Sequence, residues 1–123
     1  MNLDMKTLMD MQTELQDMHK HDWSPICPES TIMHMLWMVG EIGEAIDVIK
    51  KMGAKNLTSG TKIREHFVEE MGDVLMYFID VLQCCGVTYD EFCAVYKKKH
   101  EHNMHRDYVA EHVGYEGNKG HIE

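Results

Sequence analysis

The sequence predicts an all-α protein, a four-helix up-and-down bundle. Apolar residues recur at helical spacing through four segments, and no convincing run of strict alternation predicts a strand. The connections between these segments are short, which favours antiparallel neighbours. At 123 residues the chain has the size of one domain and can bury a core. We therefore expect a single domain over residues 1–113 and a loose, glycine-containing tail at residues 114–123.

The first predicted helix covers about residues 3–20. Its apolar residues recur at Leu8, Met11, Leu15 and Met18. A loop with two prolines follows, and the second helix is predicted from about Ser30 to Met52. Gly53 is a natural C-terminal stop for this helix, because glycine readily adopts the left-handed conformation found there.

The third helix is predicted over about residues 62–85, with Gly86 as its stop. Its apolar stripe consists of Phe67, Met71, Val74, Leu75, Phe78 and Leu82. The fourth helix begins at a capping box that runs from Thr88 to Glu91. We expect it to end between Arg106 and Val113.

Composition excludes several function classes. The formal net charge of −9 disfavours binding to a nucleic-acid polymer, whose partners are normally basic, but leaves a nucleotide substrate open. No apolar run is long enough to span a bilayer, and the acidic N-terminus does not resemble a secretion signal. Four cysteines without a CxxC pair indicate reduced thiols, so we expect a cytoplasmic protein without a membrane partner.

Two acidic couplets interrupt otherwise apolar helices. They are Glu41-x-x-Glu44 on the second helix and Glu70-x-x-Asp73 on the third. Residues three apart share a helix face, so antiparallel packing would bring all four carboxylates together. Such a set is a hard, oxygen-rich site for Mg²⁺. The alternative, a solvated acidic face, is common for one couplet but less so for two on consecutive apolar helices.

Residues around the couplets extend the hypothesis. Glycines directly precede three of the acids, at Gly40, Gly43 and Gly72, and we expect them to mark a close backbone approach. Asp47 and Asp80 each lie one helical step from a couplet and are candidates for further ligands or for groups that orient them. Glu69 points away by about a quarter turn, which favours an orienting or solvent-facing role.

A second candidate surface lies on the fourth helix. Lys99, Asn103 and Arg106 follow at i, i+4 and i+7 and would share one face. Lysine and arginine suit phosphate oxygens, and the asparagine amide suits a base edge or a sugar. The alternative is a solvated cationic face. Trp37, one turn before Glu41, is a candidate for stacking on a base, with core packing as the alternative.

Taken together, these residues resemble a known family. Gly40-Glu-Ile-Gly-Glu44, followed by Glu69-Glu-Met-Gly-Asp-Val-Leu75, is similar to the ExxE and ExxD signature of the all-α nucleoside triphosphate pyrophosphohydrolases, the MazG-like and dimeric dUTPase superfamily. Two further segments of this chain resemble the dimeric dUTPase branch. These are Tyr96, Lys99, Asn103, Arg106 and Gly114-Tyr115 at the C-terminal end, and Gln12-x-x-Leu15-Gln16 in the first helix. Gln16 and Asp107 differ from the residues usual in that branch.

The resemblance implies a magnesium-dependent pyrophosphohydrolase, possibly a dUTPase-like house-cleaning enzyme. A nucleoside triphosphate and water would give the monophosphate and pyrophosphate. Glu41, Glu44, Glu70 and Asp73 would hold two Mg²⁺ ions, for which Mn²⁺ is an expected substitute. Gln12 and Gln16 would help to bind the nucleotide. A homodimer or homotetramer is expected, because the family usually completes its site between protomers.

Two other classes of function stay open at this point. One is a helical interaction module that keeps the acids as a structural face. The other is a metal-binding protein that uses the histidine-rich C-terminus, where His102 and His105 have ligand spacing on one helix face.

Overall fold

The computed structural model describes residues 2–107 and 109. This part of the chain contains four α-helices and no strand, which confirms the all-α prediction. The helices are α1 (Met5–Met18), α2 (Thr31–Met52), α3 (Lys62–Cys84) and α4 (Tyr89–Met104). Short 3-10 turns at Pro28–Ser30 and Ala54–Thr58 precede α2 and α3 respectively.

The chain divides into two compact units, Met1–Tyr89 and Asp90–Glu123. The first holds α1, α2 and α3, and the described part of the second is α4 with a few residues after it. That residues 1–113 behave as one domain stays a prediction. The tail predicted at residues 114–123 lies outside the described residues.

Helices α2 and α3 form the main packing pair and run antiparallel. The hydroxyl of Thr31, at the start of α2, lies 3.6 Å from the sulfur of Cys85, just past the end of α3. At the opposite end, the guanidinium of Arg64 donates to the carbonyl oxygen of Leu57 in the connecting turn at 2.9 Å. Leu57 is buried, so this turn closes the end of the pair.

Helix ends follow the local chemistry of the sequence. The carboxylate of Asp4 accepts from the backbone amide of Thr7 at 2.8 Å and caps α1, and Thr61 caps α3 in the same way. Gly53 ends α2 with φ at 82°, and its amide donates to Ile49 at 2.8 Å. This left-handed conformation favours glycine, as the sequence predicts for this stop.

Helix α1 lies against α3 through polar contacts. The amide nitrogen of Gln83 donates to the carbonyl oxygen of Met9 at 3.2 Å and to the hydroxyl of Thr13 at 3.0 Å. Nearer the middle of the first unit, Gln12 on α1 donates to Asp80 on α3 at 2.9 Å. Because these bonds join residues far apart in sequence, they set the position of α1 along α3.

The apolar core of the described chain is small. Its buried hydrophobic side chains are Met9, Ala45, Leu57, Ile79 and Cys84. By contrast, α2 exposes a row of large apolar side chains, among them Ile32 at 75% and Leu36 at 64%. On α3, Val68 is exposed at 56%. The helices therefore carry more large apolar side chains than the described part of one chain buries.

Two expectations from the sequence are wrong. No described atom lies within 4 Å of a Cβ placed on Gly40, Gly43 or Gly72, so these glycines mark no close approach between the described residues. The end of α4 also comes earlier than predicted, at Met104. The backbone amides of His105 and Arg106 donate to carbonyls three residues back, which closes the helix in a tighter turn.

No single described helix is long and apolar enough to cross a membrane, although α3 and α4 taken as a bent pair meet that criterion on length and composition.

Candidate active site

Three carboxylates meet where α2 faces α3. Glu41 on α2 and Glu70 and Asp73 on α3 each offer one oxygen, and these oxygens all lie within 4.8 Å of one another. Among the described residues, no other group of three histidines, cysteines or acids comes together in this way. Carboxylate oxygens at this separation suit a hard divalent cation such as Mg²⁺, so the donor set fits the metal that the sequence predicts.

The cluster is electrostatically unfavourable without a cation. Burial raises the pKa of Glu41, and the negative charges of Asp73, Glu70 and Glu44 raise it further. A hydrogen bond with Glu70 acts in the same direction, because it favours the protonated form of one partner. Burial and nearby charges, first that of Glu41, likewise raise the pKa of Tyr77. A bound cation would replace this repulsion by attraction.

A cavity of about 730 Å³ opens beside the cluster, within the first unit. Glu41, Glu44 and Asp73 line its acidic side. Aromatic rings form another part of the wall, contributed by Trp23, Trp37 and Tyr77. A cavity of this size with mixed acidic and aromatic walls can hold a ligand that combines a charged group with a flat ring.

The aromatic wall is held by contacts between α2 and α3. Trp37 and Tyr77 have ring centroids 6.1 Å apart at an interplanar angle of 57°. The Trp37 ring also meets the imidazole of His34, on the same helix, edge-on, with centroids 5.2 Å apart. Trp37 is nevertheless 42% exposed, so it lines the cavity instead of filling the core.

A buried polar group forms the floor of the cavity. The Asp80 carboxylate accepts from the amides of Gln12 and Gln16 through one oxygen, Oδ1. Its other oxygen, Oδ2, lies 3.7 Å from Nδ1 of His34. Asp80 and His34 are only 5% and 4% exposed, and both line the cavity.

The structure brings together three of the four predicted metal ligands. Glu44 lies outside the cluster, although it lines the same cavity and its charge acts on Glu41. Asp47 pairs with Lys51 at 2.8 Å on the exposed surface and stands outside the cluster. Glu69 is exposed, in agreement with a solvent-facing role.

The residues predicted on the fourth helix belong to the second unit. Lys99 and Asn103 lie on α4, but Arg106 follows its end, so the three do not share one helical face as predicted. The guanidinium of Arg106 donates to the amide oxygen of Asn103 at 3.4 Å. Nε2 of His105 lies 3.0 Å from Oε1 of Glu101. Tyr115 and the histidines beyond residue 110 lie outside the described residues.

The sequence hypothesis missed three ring-bearing residues that line the cavity: Trp23, His34 and Tyr77. His34 lies seven residues before Glu41, and Tyr77 four residues after Asp73, so helical spacing alone places each on the face of a predicted ligand. Trp23 lies in the segment after α1, where no periodic pattern predicts the direction of a side chain.

Comparison with protein families identifies one match. Residues 29–106 match the family described as the MazG nucleotide pyrophosphohydrolase domain. The match includes both acidic couplets and α4, and leaves α1 with Gln12 and Gln16 outside. Comparisons with curated proteins and with solved structures found no significant match.

Proposed function

Because the chain belongs to the MazG nucleotide pyrophosphohydrolase family, we propose that it hydrolyses a nucleoside triphosphate, preferably a deoxynucleotide, to the monophosphate and pyrophosphate with magnesium. The observation that carries the proposal is the convergence of Glu41, Glu70 and Asp73 beside an aromatic cavity. A metal site beside a cavity with aromatic walls would bind both the phosphates and the base of a nucleotide. Cleavage of a phosphoanhydride is the activity that the family description names.

Glu41, Glu70 and Asp73 would hold the metal, with Glu44 as a further ligand if two ions bind. Magnesium, or manganese in its place, neutralises phosphate charge when bound and lowers the pKa of a coordinated water. Glu44 lines the cavity but stands apart from the cluster, which suits it to accept the proton of the attacking water. In either role Glu44 acts on the same side of the cavity.

The remaining predicted residues would bind the nucleotide. Trp37 offers a ring face for the base, while Gln12 and Gln16 hold the floor of the cavity through Asp80. Lys99 and Arg106 would stabilise phosphate charge, and Asn103 would contact the nucleoside. The resemblance of the first and fourth helices to the dimeric dUTPase branch would by itself imply a preference for uracil, whereas the acceptor atoms of Asp80 and His34 favour a different base.

We further propose that the protein acts as a homodimer or homotetramer. Apolar side chains that one chain leaves exposed on α2, such as Ile32 and Leu36, call for a covering surface. The open space beside Gly43 and Gly72 would admit a second helix at close range. The four free cysteines are compatible with the reducing conditions of a cytoplasm.

The test is pyrophosphate release from a panel of canonical and modified nucleotides with magnesium. We expect turnover of at least one nucleotide, and its loss in Glu44→Ala with the melting temperature retained. Glu69→Ala, on the exposed side of α3, is the matched control and should keep turnover. Absence of turnover for every nucleotide, with metal binding unchanged in Glu44→Ala, would reject the proposal.

A further inference from the structure

We infer that the floor of the cavity selects a nucleobase with an exocyclic amino group, cytosine or adenine, over the corresponding oxo base. The inference rests on the proposed function, because it concerns the substrate of the same site. It is carried by two acceptor atoms of buried residues, Oδ2 of Asp80 and Nδ1 of His34, which lie 3.7 Å apart and accept no hydrogen bond from the described residues.

The first acceptor is Oδ2 of Asp80. The amides of Gln12 and Gln16 both donate to Oδ1, which holds the carboxylate in one orientation. Oδ2 accepts no hydrogen bond from the described residues, and an ionised carboxylate offers only acceptor sites. Two donors on one oxygen therefore leave the second oxygen available to a ligand.

The second acceptor is Nδ1 of His34. The Nε2 atom of this ring lies 3.4 Å from the carbonyl oxygen of Pro25, which can only accept, so Nε2 carries the hydrogen in that contact. In the neutral ring Nδ1 then bears the lone pair. Nδ1 is buried and has no hydrogen-bond partner among the described residues.

The two acceptors define what a bound group must supply. Oδ2 of Asp80 and Nδ1 of His34 are 3.7 Å apart, which is too long for a hydrogen bond between them. It is short enough for one nitrogen to lie about 2.9 Å from both. An amino group has two hydrogens and can donate to each acceptor, whereas a carbonyl oxygen would add a third acceptor and leave all three unsatisfied.

The surrounding wall suits a flat ring. Trp23, Trp37 and Tyr77 line the same cavity as Asp80 and His34, and all five residues belong to the first unit. Aromatic faces hold any base by stacking with little preference among bases, so the floor is where bases are distinguished. This selection runs against uracil, which carries a carbonyl where cytosine carries the amino group.

The experiment measures binding of nucleoside monophosphates to the full chain by quenching of tryptophan fluorescence. Both tryptophans of the chain line the cavity, so a bound base is observed directly. The probes are dCMP against dUMP, dAMP against dIMP, and N4,N4-dimethyl-dCMP, which keeps the ring but lacks both amino hydrogens. We expect dCMP and dAMP to bind at least about tenfold more tightly than their partners.

Two variants test the named atoms. Asp80→Asn keeps an oxygen for the two glutamine amides and turns a donor towards the base, so the preference of dCMP over dUMP should fall at least about tenfold or reverse. Asp10→Asn is the matched control, because Asp10 is exposed and pairs with Lys6 on the surface. Should Asp80→Asn not fold, the dimethyl analogue tests the same hydrogens in the unaltered protein.

The outcomes separate this inference from the proposed function. Equal or tighter binding of dUMP, undiminished binding of the dimethyl analogue, or absence of binding by every probe would overturn base selection. Pyrophosphate release is measured in parallel from dCTP and dUTP. Turnover without base preference counts against the inference alone, while base preference without any turnover counts against the proposed function alone.

Discussion

Among single residues, Glu41 shows how the site shapes stability. Burial and three neighbouring carboxylates raise its pKa above the ordinary value of 4.5. A carboxyl group with a raised pKa in the folded state ionises more readily in the unfolded state. Its contribution therefore favours folding at low pH and is lost as the pH rises from 4.5 through the raised pKa.

The first prediction follows from that sign. Glu41→Gln removes the repulsion, so the variant should be more stable than the parent protein near neutral pH in the absence of divalent cations. The difference should vanish well below pH 4.5, where both states are protonated. Urea unfolding at the two pH values measures it. Glu69→Gln, on the exposed surface, should show no such pH-dependent gain, and an equal gain there would contradict the account.

The second prediction concerns Gln12, which is buried and donates to Asp80 at 2.9 Å. Gln12→Ala leaves a buried carboxylate with one donor fewer and should lower the free energy of unfolding by about 1–3 kcal/mol. Glu14→Ala, at an exposed position of the same helix, should change it by less than about 0.5 kcal/mol. Urea unfolding that ranks the two variants equally would show that the Gln12 bond contributes little.

Residue roles were predictable where spacing within one helix decides them. Glu70 and Asp73 share a face because they are three residues apart. The pairing of Gln12 with Asp80 joins positions 68 residues apart, which local spacing cannot predict. Spacing within α2 also does not predict that Glu41 belongs to the cluster while its couplet partner Glu44 stays outside it, because this depends on how α2 packs against α3.

At the scale of the helices, the glycines fall into two physical kinds. Gly53 ends α2 with a φ of 82°, which a side chain rarely adopts. Gly43 lies within α2, where a Cβ would meet no described atom within 4 Å. The first kind is required by the backbone of one chain, and the second is not.

This distinction gives the third prediction. Gly53→Ala should destabilise the fold by about 1–2 kcal/mol, because alanine is strained in the left-handed region. Gly43→Ala should instead stabilise the isolated chain by about 0.5–1 kcal/mol through its better helix propensity. Thermal unfolding at low protein concentration compares them. A destabilised Gly43→Ala under those conditions would show that a neighbour occupies the space beside this glycine even then.

Helix boundaries were predictable where a capping residue marks them. Gly53 and Gly86, both with positive φ, follow the ends of α2 and α3 as expected, and α4 begins directly after Thr88. The end of α4 was not predictable in this way, because no glycine or proline follows Met104 at once. The tight turn that closes α4 is formed by backbone hydrogen bonds, which no particular residue type in the sequence marks.

For the whole molecule, a row of apolar side chains on α2 stays exposed in the part of the chain that the structure describes. The sequence shows that the second helix is apolar around its acidic couplet, but it does not tell whether the chain itself or a second copy covers these side chains. Val39, exposed at 56%, and Ile46, exposed at 50%, belong to this row. Covering such side chains stabilises an assembly by roughly 25 cal/mol per Å² of apolar surface removed from water.

The fourth prediction tests the assembly. Val39→Lys places a charge on this face and should convert a dimer or tetramer into monomers, as measured by analytical ultracentrifugation. Met18→Lys, at a position 78% exposed on α1, should leave the mass unchanged. A parent protein that sediments as a monomer at every concentration would reject assembly through this face.

We propose that the cluster of Glu41, Glu70 and Asp73 supports cleavage of a nucleoside triphosphate to monophosphate and pyrophosphate. Phosphorus NMR of the reaction products tests it most directly. Pyrophosphate and monophosphate should be the only products, they should form with magnesium, and the rate should fall at least about a hundredfold in Asp73→Asn. Release of a diphosphate and orthophosphate, or an unchanged rate in Asp73→Asn, would contradict it.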